Sequence, residues 1–337
     1  MTQLAPVLSN WIADPLEAAI RPVTSGGFSG AQVWQVEYRG RMFALRRWQA
    51  GFPESRLIGV HSIQGWLGHA GLPVPTLVRT SAAAQTIVRE EDALWELATW
   101  MPGLADYHEH SLPEKLDAAM CLLARLHLTA AKLPTELPSW EKATRVSPAL
   151  MRRSERLCNL VLADNRRIRN LSGYKPANAE QRLALKGFTL LARTAEAELQ
   201  KSQRWETEEL PLQWCLRDVR DEHVLFTENC VTGLVDFGAV GFDSPAGDVA
   251  RLLGSLVGDD REGWRRGLEA YESIKPLSAV EREAIVFFDS SGVVISTANW
   301  LTWLFGPKKR ASESWHRPAA LKRLAWLVGR LEVAANR

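Results

Sequence analysis

The chain has little that would tie it to an oxidising compartment, a membrane or a polyanion. Its 337 residues include four cysteines, Cys121, Cys158, Cys215 and Cys230, and no CxxC pair. So few thiols cannot staple a chain of this length, and they read as reduced cysteines of a cytoplasmic protein. The first twenty residues hold no Lys or Arg and include Asp14 and Glu17, so the basic start and unbroken apolar run of a signal peptide are missing. The longest uncharged stretch, Ser290 to Pro307, carries Ser290, Ser291, Ser296, Thr297, Asn299 and Thr302. That is too polar for a lipid-facing helix and is read as a buried one, with no membrane partner expected. Net charge is only +2, from 41 basic and 39 acidic residues, so bulk electrostatics predict no nucleic-acid binding. Residues 306–337 hold eight Lys and Arg against two Glu, a local excess read as a solvated helix face. Internal repeats and low-complexity tracts are also missing.

What remains is an ordinary globular composition, 46% hydrophobic and 24% charged, long enough for two units or one two-lobed fold. Asn10 to Ala19 is read as a short helix. Residues 20–48 read as three strands, with Trp34, Val36 and Tyr38 alternating against Gln35 and Glu37 and a turn at Tyr38-Arg39-Gly40-Arg41. Leu57, Val60, Ile63 and Leu67 then fall at helical spacing, ending near Gly71 with Pro73 and Pro75 beyond. Two further strands are expected near 76–80 and 86–98. After Pro102-Gly103 helical patterns dominate: Leu116, Met120, Leu123 and His127 share one face, and amphipathic runs recur near 180–201, 246–256, 262–273, 279–304 and 318–335. One hairpin interrupts them, Val224–Thr227 with Val231–Val235. The expected architecture is α+β: residues 1–102 form a small antiparallel sheet lobe with one helix, and 103–337 a larger, mostly helical lobe.

The sharpest chemistry lies around that hairpin. Leu216-Arg217-Asp218-Val219-Arg220-Asp221-Glu222-His223 precedes it, and Val235-Asp236-Phe237-Gly238 follows. This order resembles a kinase catalytic loop and its metal-binding segment, H-R-D-x-x-x-x-N then D-F-G. Asp218 and His223 keep the five-residue offset, and Asp236 follows thirteen residues after His223. By that resemblance Asp218 accepts the proton of the substrate hydroxyl, while Asp236 and the residue at position 223 hold metal on ATP. Imidazole suits Mg²⁺ less than Mn²⁺, so His223 makes both ions candidates. Arg220 is placed to contact the γ-phosphate. Upstream, Thr24-Ser25-Gly26-Gly27-Phe28-Ser29-Gly30 lies between the first two strands, where Gly26, Gly27, Ser29 and Gly30 bring backbone amides to phosphate oxygens. Arg46, ending Met42-Phe43-Ala44-Leu45-Arg46, occupies the place of the V-A-I-K lysine. The inserted helix offers His61 where a kinase has its glutamate, so the usual ion pair is not expected.

Together with Gly71-Leu72-Pro73-Val74-Pro75, Met101-Pro102-Gly103, Arg125-Leu126-His127 and Gly247-Asp248-Val249-Ala250, these segments resemble the aminoglycoside phosphotransferase superfamily, which includes homoserine and choline kinases. The resemblance implies a bilobal protein-kinase-like fold and ATP-dependent transfer to a hydroxyl of a small molecule: an aminoglycoside, sugar, amino alcohol or hydroxy-amino acid. It also implies that the strand 95–100, with Glu96 and Ala98, presents its backbone to adenine, and that Asp248 braces the catalytic loop. The departures at Arg46, His61 and His223 leave a second reading, a pseudokinase that binds nucleotide without turnover. A protein kinase is disfavoured because no A-P-E segment follows Gly238. Asp259, Asp260 and Glu262 could line an acidic acceptor cleft or merely charge a helix start. Neither the acceptor nor the oligomeric state is legible.

Overall fold

The structure, a computed structural model, describes residues 4–23, 31–133, 146–171, 175–306 and 317–336, without the side chains of 163–171. It divides into two compact units, the first comprising residues 1–137 and 221–240 and the second 138–220 and 241–337. Along the chain, the first unit opens with α1 (Ala5–Leu8), β1 (Ala19–Pro22), β2 (Gln32–Tyr38), β3 (Arg41–Arg47), α2 (Glu54–His69), β4 (Val88–Glu90), β5 (Ala93–Thr99) and α3 (Pro113–Ala130). The second contributes α4 (Pro148–Leu171), α5 (Ala179–Ser202) and β6 (Gln213–Cys215). The chain returns to the first for β7 (Val224–Thr227) and β8 (Cys230–Leu234), then completes the second with β9 (Gly241–Asp243), α6 (Pro245–Val257), α7 (Arg261–Glu272), α8 (Ala279–Phe305) and α9 (Arg317–Ala335).

In the first unit, an antiparallel sheet of order β1-β2-β3-β5-β4 buries Val36, Phe43, Leu45 and Leu97 against Leu8, Trp11 and Ile12. The β2–β3 hairpin turns through Arg39 and Gly40, both at positive φ, as a tight turn matching strand twist requires. α2 buries Leu57, Val60, Ile63 and Leu67, the stripe read from the sequence. Gly71, φ +81°, ends it in the left-handed conformation that glycine adopts without a steric penalty. α3 buries Leu116, Met120, Leu123 and His127. The hairpin β7–β8 turns at Glu228-Asn229, and its Phe226 exchanges backbone hydrogen bonds with Leu104. Those bonds, with Leu234 N–H donating to Pro73 O, attach the hairpin to the segments flanking the sheet. The chain is therefore grouped differently from a division at residue 102.

Other elements differ from expectation too. Asn10–Ala19 holds only a single 3-10 turn, Pro15–Glu17; the proline at 15 biases Asp14 away from helical angles. Residues 76–80 form an isolated bridge, Leu77 to Ala98, and the run 86–98 is broken by Glu91 at positive φ into β4 and β5. The sheet still has five strands because that one run supplies two. In the second unit, α8 packs against α4, α5, α6 and α9. It is the one helix among the described residues long and apolar enough to cross a membrane, and 61% of its apolar window is buried inside the protein. Trp300 and Trp303 on it meet edge to face at 5.3 Å, a packing contact. Two features had no counterpart in the reading: the arginine-rich α4, and the antiparallel β6–β9 pair.

Candidate active site

The first unit assembles a charged cluster at the ends of β3 and β8. Arg46, on β3, donates through Nη2 to Asp236 Oδ1 at 3.1 Å. Asp236 follows β8 at φ +65°, a left-handed conformation uncommon outside glycine, and Gly238 N–H also reaches its Oδ1, at 3.4 Å. The other oxygen, Oδ2, lies 3.8 Å from Nε2 of the buried His223, which is in turn 3.8 Å from Glu222 Oε1. Burial pushes the Asp236 carboxyl up. The charges of Arg46 and His223 and the hydrogen bonds from Arg46 and Gly238 outweigh it and hold the group below the usual carboxylate range. A free carboxylate oxygen and an imidazole nitrogen 3.8 Å apart can both reach one divalent cation, so these donors fit a metal. The mixed nitrogen and oxygen set is tolerated by Mn²⁺.

The expected adenine contacts are corrected. Glu96 is buried, and its Oε2 accepts from Trp48 Nε1 at 2.9 Å and lies 2.7 Å from His61 Nε2. His61 Nδ1 meets Thr86 Oγ1 at 2.8 Å. The carboxylate that α2 lacks thus comes from β5, and it grips His61 rather than Arg46. Its side chain is committed inside the unit. Ala98 pairs with Ala44 on one side and bridges Leu77 on the other, so its backbone belongs to the sheet interior. One step past β5, Trp100 N–H donates to Met42 O, while the Trp100 carbonyl and Met101 N–H have no partner among the described residues. The network also sets Trp48, whose ring lies 4.9 Å from the Arg46 guanidinium and packs on Gly238, where an added Cβ would sit 3.2 Å from the indole. Gly26, Gly27, Ser29 and Gly30 lie outside the described residues.

The second unit positions Asp218. β6 delivers the chain to Leu216 and Arg217, whose N–H groups donate to Asp248 of α6 at 2.7 and 2.6 Å. Asp248 is buried and does brace the loop, with Arg217 at φ +66°. Asp218 is left partly exposed at 37%. It accepts from Arg251 Nη2, one turn after Asp248 on α6, and lies 3.7 Å from Arg220 Nε. Nearby Asp243 is buried and fully engaged, accepting from Ser147 Oγ at 2.6 Å and Arg152 Nη2 at 3.1 Å. Arg153 sits over the Phe288 ring at 5.0 Å. Asp260 caps α7 and Asp259 pairs with Arg330, so the acidic cluster at 259–262 has local helix and packing roles. Sequence reasoning missed Trp48, Arg153 and Arg251. For Arg251 a signal existed, three residues after Asp248 on one helix face.

The family model described as a phosphotransferase enzyme family matches residues 20–284. No curated protein sequence matches the chain. Among solved structures it is similar to a spectinomycin phosphotransferase in complex with ADP and spectinomycin, at TM-score 0.72 and 13% identity over 99% of this chain and 98% of that one. It is also similar to an aminoglycoside phosphotransferase from Alicyclobacillus acidocaldarius, at TM-score 0.63 and 19% identity over 98% and 93%. An amicoumacin kinase in complex with AMP-PNP, Ca²⁺ and Ami aligns at TM-score 0.64 and 13% identity over 99% and 93%. These likenesses give the fold, and the family match covers most of the chain. With its sheet lobe, braced Asp218 segment and Arg46–Asp236 cluster, the chain belongs to the phosphotransferase enzyme family and has a protein-kinase-like fold.

Proposed function

We propose that the protein transfers the γ-phosphate of ATP to a hydroxyl of a small molecule. The observation that carries this reading is the Arg46–Asp236 pair, which brings the phosphate-binding cation of β3 to the carboxylate after β8. In the proposed step the acceptor O–H bond breaks and its proton passes to Asp218 as the oxygen bonds the γ-phosphorus. The bond from that phosphorus to the β,γ-bridging oxygen breaks, and ADP leaves. Arg220 steadies charge on the transferred group. Asp236 Oδ2 and His223 would hold a divalent cation, Mg²⁺ or Mn²⁺, which when bound neutralises phosphate charge. The loop with Gly26, Gly27, Ser29 and Gly30 covers the phosphates. The Trp100 carbonyl and Met101 N–H offer adenine an acceptor and a donor. Four free cysteines fit a cytoplasmic setting.

The test is a screen of hydroxylated metabolites for ATP consumption with Mg²⁺ and with Mn²⁺, using wild type, Asp218→Asn and Asp236→Asn. Asp218→Asn is expected to abolish transfer with nucleotide affinity within about threefold, and Asp236→Asn to weaken metal-dependent nucleotide binding. Nucleotide binding without consumption across the whole screen would return the pseudokinase reading.

A further inference from the structure

The second unit carries an unusual charge arrangement around Asp218. A kinase base must offer an oxygen to the acceptor hydroxyl, yet here Arg251 Nη2 already donates to Oδ1 and Arg220 Nε lies 3.7 Å from the same atom. Arg152 is matched by Asp243, and Arg330 by Asp289 and Asp259. Arg153 is different. Its Nε is buried without a hydrogen-bond partner, as are those of Arg251 and Arg330, but unlike theirs its guanidinium has no carboxylate or carbonyl acceptor at all among the described residues. Its support is the Phe288 face, with Gly292 of α8 alongside, where a Cβ would lie 3.9 Å from Nη1.

The neighbouring charges confirm that this cation is under-compensated. Burial, then the like charge of Arg251, lower the Arg153 pKa to about 10; Asp243 and Asp289 oppose the shift and Arg152 adds to it. A desolvated guanidinium without an acceptor is costly to fold. Such a group fits an anion that arrives later, and the guanidinium fork matches a carboxylate in two parallel hydrogen bonds.

We propose that the acceptor is a hydroxy acid whose carboxylate is bound by Arg153 and Arg251, so that Arg251 exchanges Asp218 for the substrate. An incoming carboxylate gives Arg251 another partner and releases Asp218 Oδ1, so that both carboxylate oxygens face the acceptor, whereas a neutral alcohol leaves Oδ1 held and the carboxylate less basic. A polycation meets Arg153, Arg220 and Arg251 with like charge. The proposal rests on Asp218 as the base.

Matched pairs test it: glycerate against glycerol, L-homoserine against 3-aminopropan-1-ol, and gluconate against sorbitol. Each is assayed for ATP-dependent phosphorylation, and for a rise in melting temperature without ATP. In at least one pair the hydroxy acid should exceed its alcohol by about 100-fold in kcat/KM and alone raise the melting temperature. Arg153→Met and Arg251→Gln should each cut that preference at least tenfold, through KM for Arg153→Met, while Arg153→Lys, which keeps the charge without the fork, should retain only part of it. Alcohols preferred in every pair, no hydroxy acid either used or stabilising, or a preference untouched in Arg153→Met and Arg251→Gln would each overturn the proposal. Failure of the underlying reading looks different: Asp218→Asn would turn over at the wild-type rate while the acid preference persisted.

Discussion

Arg46 and Asp236, 190 residues apart in the chain, meet at 3.1 Å within one compact unit. The contact follows from where the unit's other carboxylate went. His61 on α2 is bound to Glu96 of β5, and Glu54, the acid that α2 itself carries, pairs with Arg89, so the Arg46 guanidinium turns to the residue after β8.

This pair gives a pH prediction. The Asp236 carboxyl is held below its ordinary value of 3.8, with burial opposing and Arg46 first among the causes that lower it. An acid depressed in the folded state contributes stability above the unfolded value, and that contribution is lost as pH falls through the folded one. Arg46→Met removes the main lowering charge, so the acid limb of stability should move to higher pH. Urea unfolding of both proteins between pH 3 and 7 checks this: the stability gap should be widest near neutrality and close in acid. A gap independent of pH would show that the two groups are uncoupled.

The His61–Glu96–Trp48 network should act as one unit. Removing one partner of a buried charged acceptor leaves the others under-satisfied, so His61→Leu should cost about 3 kcal/mol and Trp48→Phe about 1–2 kcal/mol. Because both donate to Glu96 Oε2, the double variant should cost less than the sum by at least about 0.5 kcal/mol. Denaturant titrations of the four proteins in the cycle measure the coupling; strict additivity would dissolve the network.

At the junction after β5, Gly103 has φ +95°, and an added Cβ would lie 2.6 Å from Thr232 Oγ1 and 2.7 Å from Phe226 O. The β7–β8 hairpin approaches too closely for any side chain there. Gly103→Ala is expected to destabilise by about 2–3 kcal/mol, seen as a lower melting temperature, with Gly51→Ala, at φ +78° in open space, costing less.

Much of this was readable before any coordinates, for identifiable reasons. The α2 stripe Leu57, Val60, Ile63, Leu67 and the turn at Arg39-Gly40 are local signals, and periodicity with turn chemistry reports them well. The order of Asp218, His223 and Asp236 is a property of the chain itself, and the structure adds that His223 lies 3.8 Å from Asp236. What failed depended on pairing. Residues 76–80 have a strand's composition but only a bridge for a partner, and Ala98 looked accessible until Ala44 and Leu77 flanked it. α4 keeps Leu150, Leu157 and Leu160 on a buried face, but its many charged residues lower its mean hydropathy and mask that spacing, and Arg153 was hidden with it. By sequence Glu96 is any core carboxylate in a buried strand; only the approach of His61 gives it a role.

Arg153 supplies the last prediction, one that sets stability against function. Its pKa falls from the ordinary arginine range to about 10, with burial the first cause. Between those values the unfolded chain binds more protons than the folded one, so this group's contribution to stability rises with pH there and is least favourable below about 10. At neutral pH the folded protein therefore carries a desolvated charge that an isosteric apolar side chain would not. Arg153→Met should raise the melting temperature of the ligand-free protein at pH 7 by on the order of 2 °C. That advantage over wild type should shrink as pH passes about 10. The same concentration of hydroxy acid should reverse the order at neutral pH, raising wild type by more than the variant, whose affinity is at least tenfold weaker. Melting curves at pH 7 and 10.5, with and without the ligand, decide it, and a variant that melts below wild type at pH 7 without ligand would mean that Arg153 holds the fold together.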